Sequence, residues 1–62
     1  METKEEQILK YLEEKGKLCV KDIADGVDMS PATASKYLLS LLNQKKVKKE
    51  VRLPFTFYEA VS

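Results

Sequence analysis

Positive charge in this chain is concentrated in one stretch of the sequence. Residues 30–53 hold six basic residues against one acid, Glu50, so this stretch carries a local net charge of +5 although the whole chain carries only +1. Ammonium and guanidinium groups that cluster in this way are typical of a surface that binds phosphates. The alternative interpretation is an ordinary solvated strand edge, which charge protects from aggregation. The basic residues are Lys36, Lys45, Lys46, Lys48, Lys49 and Arg52.

Small and polar side chains lie just before this basic cluster. Ser30-Pro31 is a strong helix start, because Ser supplies an N-cap oxygen and Pro at the first helical position needs no amide partner. The spacing of Ala34, Leu38 and Leu41 predicts a helix over residues 31–45 that buries these three. Short side chains on its outer face would let the helix enter a groove about 12 Å wide and hydrogen-bond there. These outward positions are Ala32, Thr33, Ser35, Lys36, Tyr37 and Ser40.

The chain has few of the residue types that catalytic and metal-binding sites require. The chain has no histidine and only one cysteine, Cys19, and it contains no Gly-rich phosphate loop. We therefore expect neither an enzyme nor a metal site, and no cofactor. A single cysteine cannot form an internal disulfide, and no apolar run reaches the length of a membrane span. These features favour a cytoplasmic protein with no membrane partner.

The first half of the chain predicts two helices with a short strand between them. Thr3 is a suitable N-cap for an amphipathic helix over residues 4–15, with Glu6 three residues later and Gly16 positioned to end it. Residues 18–20 are β-prone, and apolar residues then recur at helical spacing up to Val27. The first half is acidic, which leaves the positive charge to the second half.

Two strands should follow the 31–45 helix. Residues 47–51 and 55–61 are rich in β-branched and aromatic residues, and residues 52–54 form a short connection with Arg52 at its tip. The fold class that we expect is mainly α with a small β-hairpin: three helices, a short strand after the first helix, and a C-terminal two-stranded wing. Because 62 residues support one small core, we expect a single domain over residues 1–62.

The stretch from Val20 to Leu38, VKDIADGVDMSPATASKYL, resembles the helix-turn-helix core of small bacterial and archaeal winged-helix transcription regulators. With the first helix and the hairpin added, the resemblance covers nearly the whole chain. It implies a small transcriptional regulator that binds double-stranded DNA, with helix 31–45 in the major groove and the 48–54 wing on the backbone. The residues expected to contact DNA are Ser30, Ala32, Thr33, Ser35, Lys36, Tyr37, Ser40, Lys45, Lys46, Lys48, Lys49 and Arg52.

Both ends of the chain also resemble the Z-DNA-binding winged-helix family. The positions that this family uses for recognition are different here. Its asparagine and tyrosine fall on Ser35 and Leu39, its wing Pro-Pro is reduced to Pro54-Phe55, and its tryptophan becomes Phe57.

Two further alternatives come from the leucines of the third helix. Leu39 and Leu42 widen the apolar face beyond the stripe that one core requires. Together with Tyr11 they could cover the wing within one molecule or form the interface of a homodimer. Because the net charge is close to zero, a winged-helix module that docks proteins without binding nucleic acid is the alternative function.

Overall fold

A computed structural model describes residues 3–61, and Met1, Glu2 and Ser62 lie outside the described residues. The elements follow the order predicted from the sequence, which confirms the fold class of three helices with a β-hairpin. They are α1 (Lys4–Lys15), β1 (Leu18–Cys19), α2 (Val20–Gly26), α3 (Pro31–Asn43), β2 (Val47–Arg52) and β3 (Phe55–Ala60).

Helix α1 begins and ends as the sequence predicts. The Thr3 hydroxyl accepts a hydrogen bond from the backbone N–H of Glu6 at 3.1 Å, which satisfies one of the unpaired donors of the first turn. Gly16 closes the helix with a φ of 86°, a conformation that costs glycine little. Ile8 and Leu12 occupy the face of α1 that is completely buried.

Helix α3 ends two residues earlier than the predicted 31–45. Lys45 adopts the left-handed conformation with a φ of 61°. The N–H of Lys45 then donates to the carbonyl of Leu42 and the N–H of Lys46 to that of Leu41, which terminates the helix. Lysine rarely adopts the left-handed conformation that ends a helix, so the residue types did not predict where α3 ends.

The three strands form one antiparallel sheet in the order β1-β3-β2. Leu18 lies opposite Tyr58 and Cys19 opposite Phe57, so β1 extends the sheet beyond the predicted hairpin. Arg52 pairs with Phe55. The predicted connection 52–54 is therefore wrong by one residue, because Arg52 belongs to β2 and only Leu53 and Pro54 form the loop.

The core lies between the helices and one face of the sheet. Its larger side chains are Ile8, Leu12, Ile23, Leu38, Leu41, Val47 and Tyr58, all buried.

Gly26 lies at the end of α2 directly beneath the ring of Tyr11. A Cβ atom at position 26 would overlap two ring carbons and the hydroxyl oxygen of Tyr11. This contact explains the glycine, and it assigns Tyr11 to the packing of α1 on α2 within one molecule.

Candidate nucleic-acid interface

The start of α3 is fixed by a hydrogen-bonded cap. The Ser30 hydroxyl accepts from the backbone N–H of Thr33 at 3.2 Å and donates to Thr33 Oγ1 at 2.9 Å. A threonine oxygen that accepts one bond keeps its own proton to donate. The first turn of α3 therefore presents a hydroxyl donor at the positive end of the helix dipole.

The outer face of the first two turns is bare of large side chains. Ala32, Thr33, Ser35 and Lys36 are all exposed, whereas Ala34 and Leu38 on the opposite face are completely buried. The predicted separation of faces is therefore present in the structure. An exposed surface of methyl groups, hydroxyls and one lysine can lie against a groove without steric conflict.

Two residues predicted to point outward are instead engaged with the protein. Tyr37 is half-buried and packs against the core cluster. Ser40 is half-buried and donates a hydrogen bond to the Glu5 carboxylate of α1 at 3.0 Å. Gln44 donates to the other oxygen of Glu5, also at 3.0 Å. The prediction that Tyr37 and Ser40 lie on the outer face is corrected, because Tyr37 packs against the core and Ser40 is hydrogen-bonded to α1.

Lys45 and Lys46 lie just beyond α3 and are both exposed. The sequence placed them in the last turn of a longer helix. The left-handed Lys45 instead turns the chain toward β2, and the carbonyl of Lys46 accepts a hydrogen bond from the N–H of Val61 at 2.9 Å. The backbone at this corner is therefore held, while both ammonium groups reach solvent.

Strand alternation separates the cations of the hairpin. Residues opposite each other in an antiparallel pair share a face of the sheet, and consecutive residues alternate between faces. Lys49 lies opposite the buried Tyr58, on the face that carries the core. Lys48 lies opposite Glu59 on the other face, where it lines an open cleft of about 460 Å³ that also contains Glu13. The predicted convergence of both lysines on one surface is therefore corrected: Lys49 lies on the core-side face, whereas Lys48 and Arg52 lie on the other face.

Arg52 is held by an ion pair that the sequence analysis did not identify. Its Nε lies 2.9 Å from a Glu50 carboxylate oxygen, and the Nζ of Lys17 lies 2.9 Å from the same oxygen. Glu50 and Arg52 are two residues apart on one strand and so share a face, which was a detectable signal. Lys17 is 33 residues away from Glu50, and no local pattern indicated that contact.

The two cations influence the ionisation of Glu50. The hydrogen bond from Lys17 has the largest effect and lowers the pKa of the Glu50 carboxyl below its ordinary value. Loss of solvation acts in the opposite direction, and the charges of Arg52 and Lys17 lower the pKa further. Glu50 is therefore ionised at neutral pH, and it neutralises part of the positive charge of the wing.

The described residues contain no other arrangement that indicates chemistry. Within residues 3–61, no group of three or more His, Cys, Asp or Glu side chains could hold a metal ion. None of the helices in the same residues is long and apolar enough to cross a membrane.

A family model confirms the resemblance that the sequence suggested. The model for bacterial regulatory proteins of the ArsR family matches residues 6–49, which include all three helices except the first two residues of α1. No curated protein sequence matches the chain.

Solved structures with the same fold include a transcriptional repressor and a protein solved in complex with DNA. The AntR antimony-specific transcriptional repressor is 29% identical, with a TM-score of 0.80, over 89% of this chain and 50% of that one. Lactococcus lactis ZitR, whose C30S mutant was solved in complex with DNA, is 23% identical, with a TM-score of 0.87, over 100% and 44%. This chain thus spans about half the length of these two proteins.

A third structure is the Zalpha domain from Carassius auratus PKZ in complex with Z-DNA. It is 21% identical, with a TM-score of 0.86, over 94% of this chain and 92% of that one. At that identity the likeness concerns the fold alone.

Proposed function

Since the chain belongs to the ArsR family of bacterial regulatory proteins, we propose that its helix-turn-helix binds double-stranded DNA with α3 in the major groove and the β2–β3 wing beside it. The observation that carries this proposal is the exposed outer face of α3, formed by Ala32, Thr33, Ser35 and Lys36. A DNA-binding transcription regulator needs one helix whose outer side fits a groove, and α3 meets that requirement.

Residues of the first two turns of α3 would read the bases. Thr33 has a hydroxyl proton to donate, and Ser35 has a hydroxyl that can donate or accept at base edges. Lys36 supplies a longer side chain with a positive charge. Ser30 contributes through the cap, because its hydroxyl is already bonded to Thr33.

The remaining cations would contact phosphates. Lys45 and Lys46 are exposed at the end of α3, and Lys49 is exposed on the core-side face of the wing. Arg52 would exchange Glu50 for a phosphate on binding. Such contacts fix the position of the protein on the duplex and make affinity depend on salt, but they carry no sequence information.

Titration of DNA by fluorescence anisotropy tests the proposal. Random and genomic duplexes are titrated at two salt concentrations, and each phosphate neutralised contributes about −0.9 to the slope of log affinity against log salt. Lys36→Ala should weaken binding and reduce the preference between the two duplexes. Arg52→Ala should weaken all duplexes equally and flatten the slope by about one unit.

Lys15→Ala is the matched control, since it removes one exposed positive charge from the last turn of α1. It should change the affinity much less than either variant. An equal loss for all three variants would show that only net charge matters and would remove the case for base contacts by α3.

A protein-docking module is the second candidate function, because Leu39 on α3 is 58% exposed. Absence of duplex binding at low salt would favour it. The same leucine supports a homodimer, which analytical ultracentrifugation of the wild type and Leu39→Ser would detect. We further propose a cytoplasmic location, where a DNA-binding regulator meets its target, and a single folding unit over residues 1–62.

A further inference from the structure

The tip of the β2–β3 hairpin is apolar, although a wing that only contacts phosphates would be polar and basic. Five large hydrophobic residues are exposed within residues 3–61, and three of them lie within residues 51–55. Leu53 is 89% exposed, and Val51 and Phe55 are 56% and 57% exposed. Isolated exposed hydrophobic residues are normal on protein surfaces, but a cluster at one tip indicates a surface that another molecule covers.

The hairpin carries this tip beyond the core. The last buried residue of the sheet is Tyr58, opposite Lys49, and both residues of the next inward-facing pair, Val51 and Thr56, are at least partly exposed. Two strand residues span about 7 Å, so the end of the loop projects beyond the last buried residue of the sheet. Phe55 packs against Phe57 with ring centroids 6.2 Å apart, which supports the base of the tip.

Charge around the tip favours a polyanion as its partner. Residues 51–58 contain no acid, and the adjacent Glu50 already pairs with Lys17 and Arg52. The apolar side chain of Leu53, with the Arg52 guanidinium beside it in the sequence, matches a ligand that carries phosphates on its outside and stacked apolar rings inside. The minor groove of DNA has this chemistry, and the single side chain at the end of a two-residue loop is small enough to enter a groove about 6 Å wide.

We propose that Leu53 is an apolar wedge that enters the minor groove and partly unstacks one base step. The inference rests on the proposed DNA binding and adds a second source of specificity to it. Apolar side chains inserted in this way kink the duplex by about 20° or more. Because pyrimidine–purine steps unstack most easily, the wing would select deformable sequences without hydrogen bonds to bases.

The test compares two duplexes of about two helical turns, one of alternating TA steps and one a continuous A-tract, which is stiff. Affinity is measured by anisotropy, and bending is measured by energy transfer between end labels. The wild-type chain should prefer the alternating duplex by about fivefold and bend it. Leu53→Ser should remove both the preference and the bend while the salt slope stays unchanged, because no cation is lost.

Val61→Ser is the matched control, because Val61 is also an exposed apolar residue (41%) but lies at the opposite end of the hairpin, next to Lys46. It should behave as the wild type. A Leu53→Ser protein that keeps the preference and the bend overturns the proposal, as does wild-type binding that bends neither duplex. Loss of self-association without any change in DNA binding would assign the tip to a protein partner and also overturn it. Failure of the wild type to bind either duplex at low salt would instead refute the proposed DNA binding itself.

Discussion

Replacement of Glu50 by glutamine should strengthen DNA binding. The Glu50 carboxylate accepts a hydrogen bond from Lys17 Nζ at 2.9 Å and forms an ion pair with Arg52 Nε, also at 2.9 Å. Arg52 must therefore leave an ion pair before it reaches a phosphate. Glutamine keeps the size of the side chain and removes the charge. Both partners are well exposed, with 71% of the Arg52 side chain accessible. The affinity gain is therefore that of breaking one exposed pair, about two- to fivefold.

Anisotropy titration of a random duplex at several salt concentrations measures this effect. The slope of log affinity against log salt should stay unchanged, because Arg52 contacts a phosphate in the complex of both proteins. Glu59→Gln is the matched control. It removes the same charge from the hairpin, but Glu59 lies opposite Lys48 and far from the tip.

An equal gain for Glu50→Gln and Glu59→Gln would refute the reasoning, since net charge alone would then explain both. A weaker Glu50→Gln protein would refute it in another way, by showing that Glu50 orients Arg52 for binding. Circular dichroism of both variants would establish that the fold is retained.

Three further predictions concern stability. Gly26→Ala should lower the free energy of unfolding by at most about 1 kcal/mol, because its Cβ displaces only the end of the half-buried Tyr11 side chain. In a Tyr11→Ala background the same change should instead stabilise by about 0.5–1 kcal/mol, and a loss of equal size in both backgrounds, measured by urea unfolding, would contradict the contact. Cys19→Ser should raise the free energy of unfolding by about 0.5–1 kcal/mol. Cys19 is the N-cap of α2 but its side chain makes no cap hydrogen bond, whereas a serine oxygen can accept one from the N–H of Asp22. An unchanged midpoint of urea unfolding would contradict this prediction. Because the pKa of Glu50 is lowered in the folded state, its carboxylate should stabilise the fold above its ordinary pKa of 4.5, and this stabilisation should be lost as pH falls through the lowered value. The difference in Tm between wild type and Glu50→Gln should therefore shrink in acid. A difference that does not depend on pH would exclude this linkage.

Local chemistry made both ends of α1 and the start of α3 predictable from the sequence. Thr3, Ser30 and Gly16 act through hydrogen bonds or backbone freedom within a few residues, and the structure contains all three as expected. The end of α3 escaped prediction because it depends on Lys45, a residue with no preference for the left-handed conformation. A similar limit explains the one-residue error at Arg52, since strand register is set by pairing across the sheet.

The candidate interface was predictable in part. Periodicity separated the exposed Ala32, Thr33 and Ser35 from the buried face of α3 correctly. It failed at Ser40, whose partner Glu5 is 35 residues away in the sequence. Lys48 and Lys49 lie on opposite faces of the sheet because side chains alternate along a strand with a period of two. The residues of a predicted strand should therefore be assigned to its two faces before their charges are added together.

The central position of β3 determines how the wing can move. This strand bonds to β2 along its whole length and to β1 at Leu18 and Cys19, which directly precede α2. A tilt of the wing therefore pulls on the segment that leads into the helix-turn-helix, so the hairpin acts as a lever coupled to α2 and α3. Under the proposed DNA binding, force applied at the tip by a bent duplex would reach α3 through this connection.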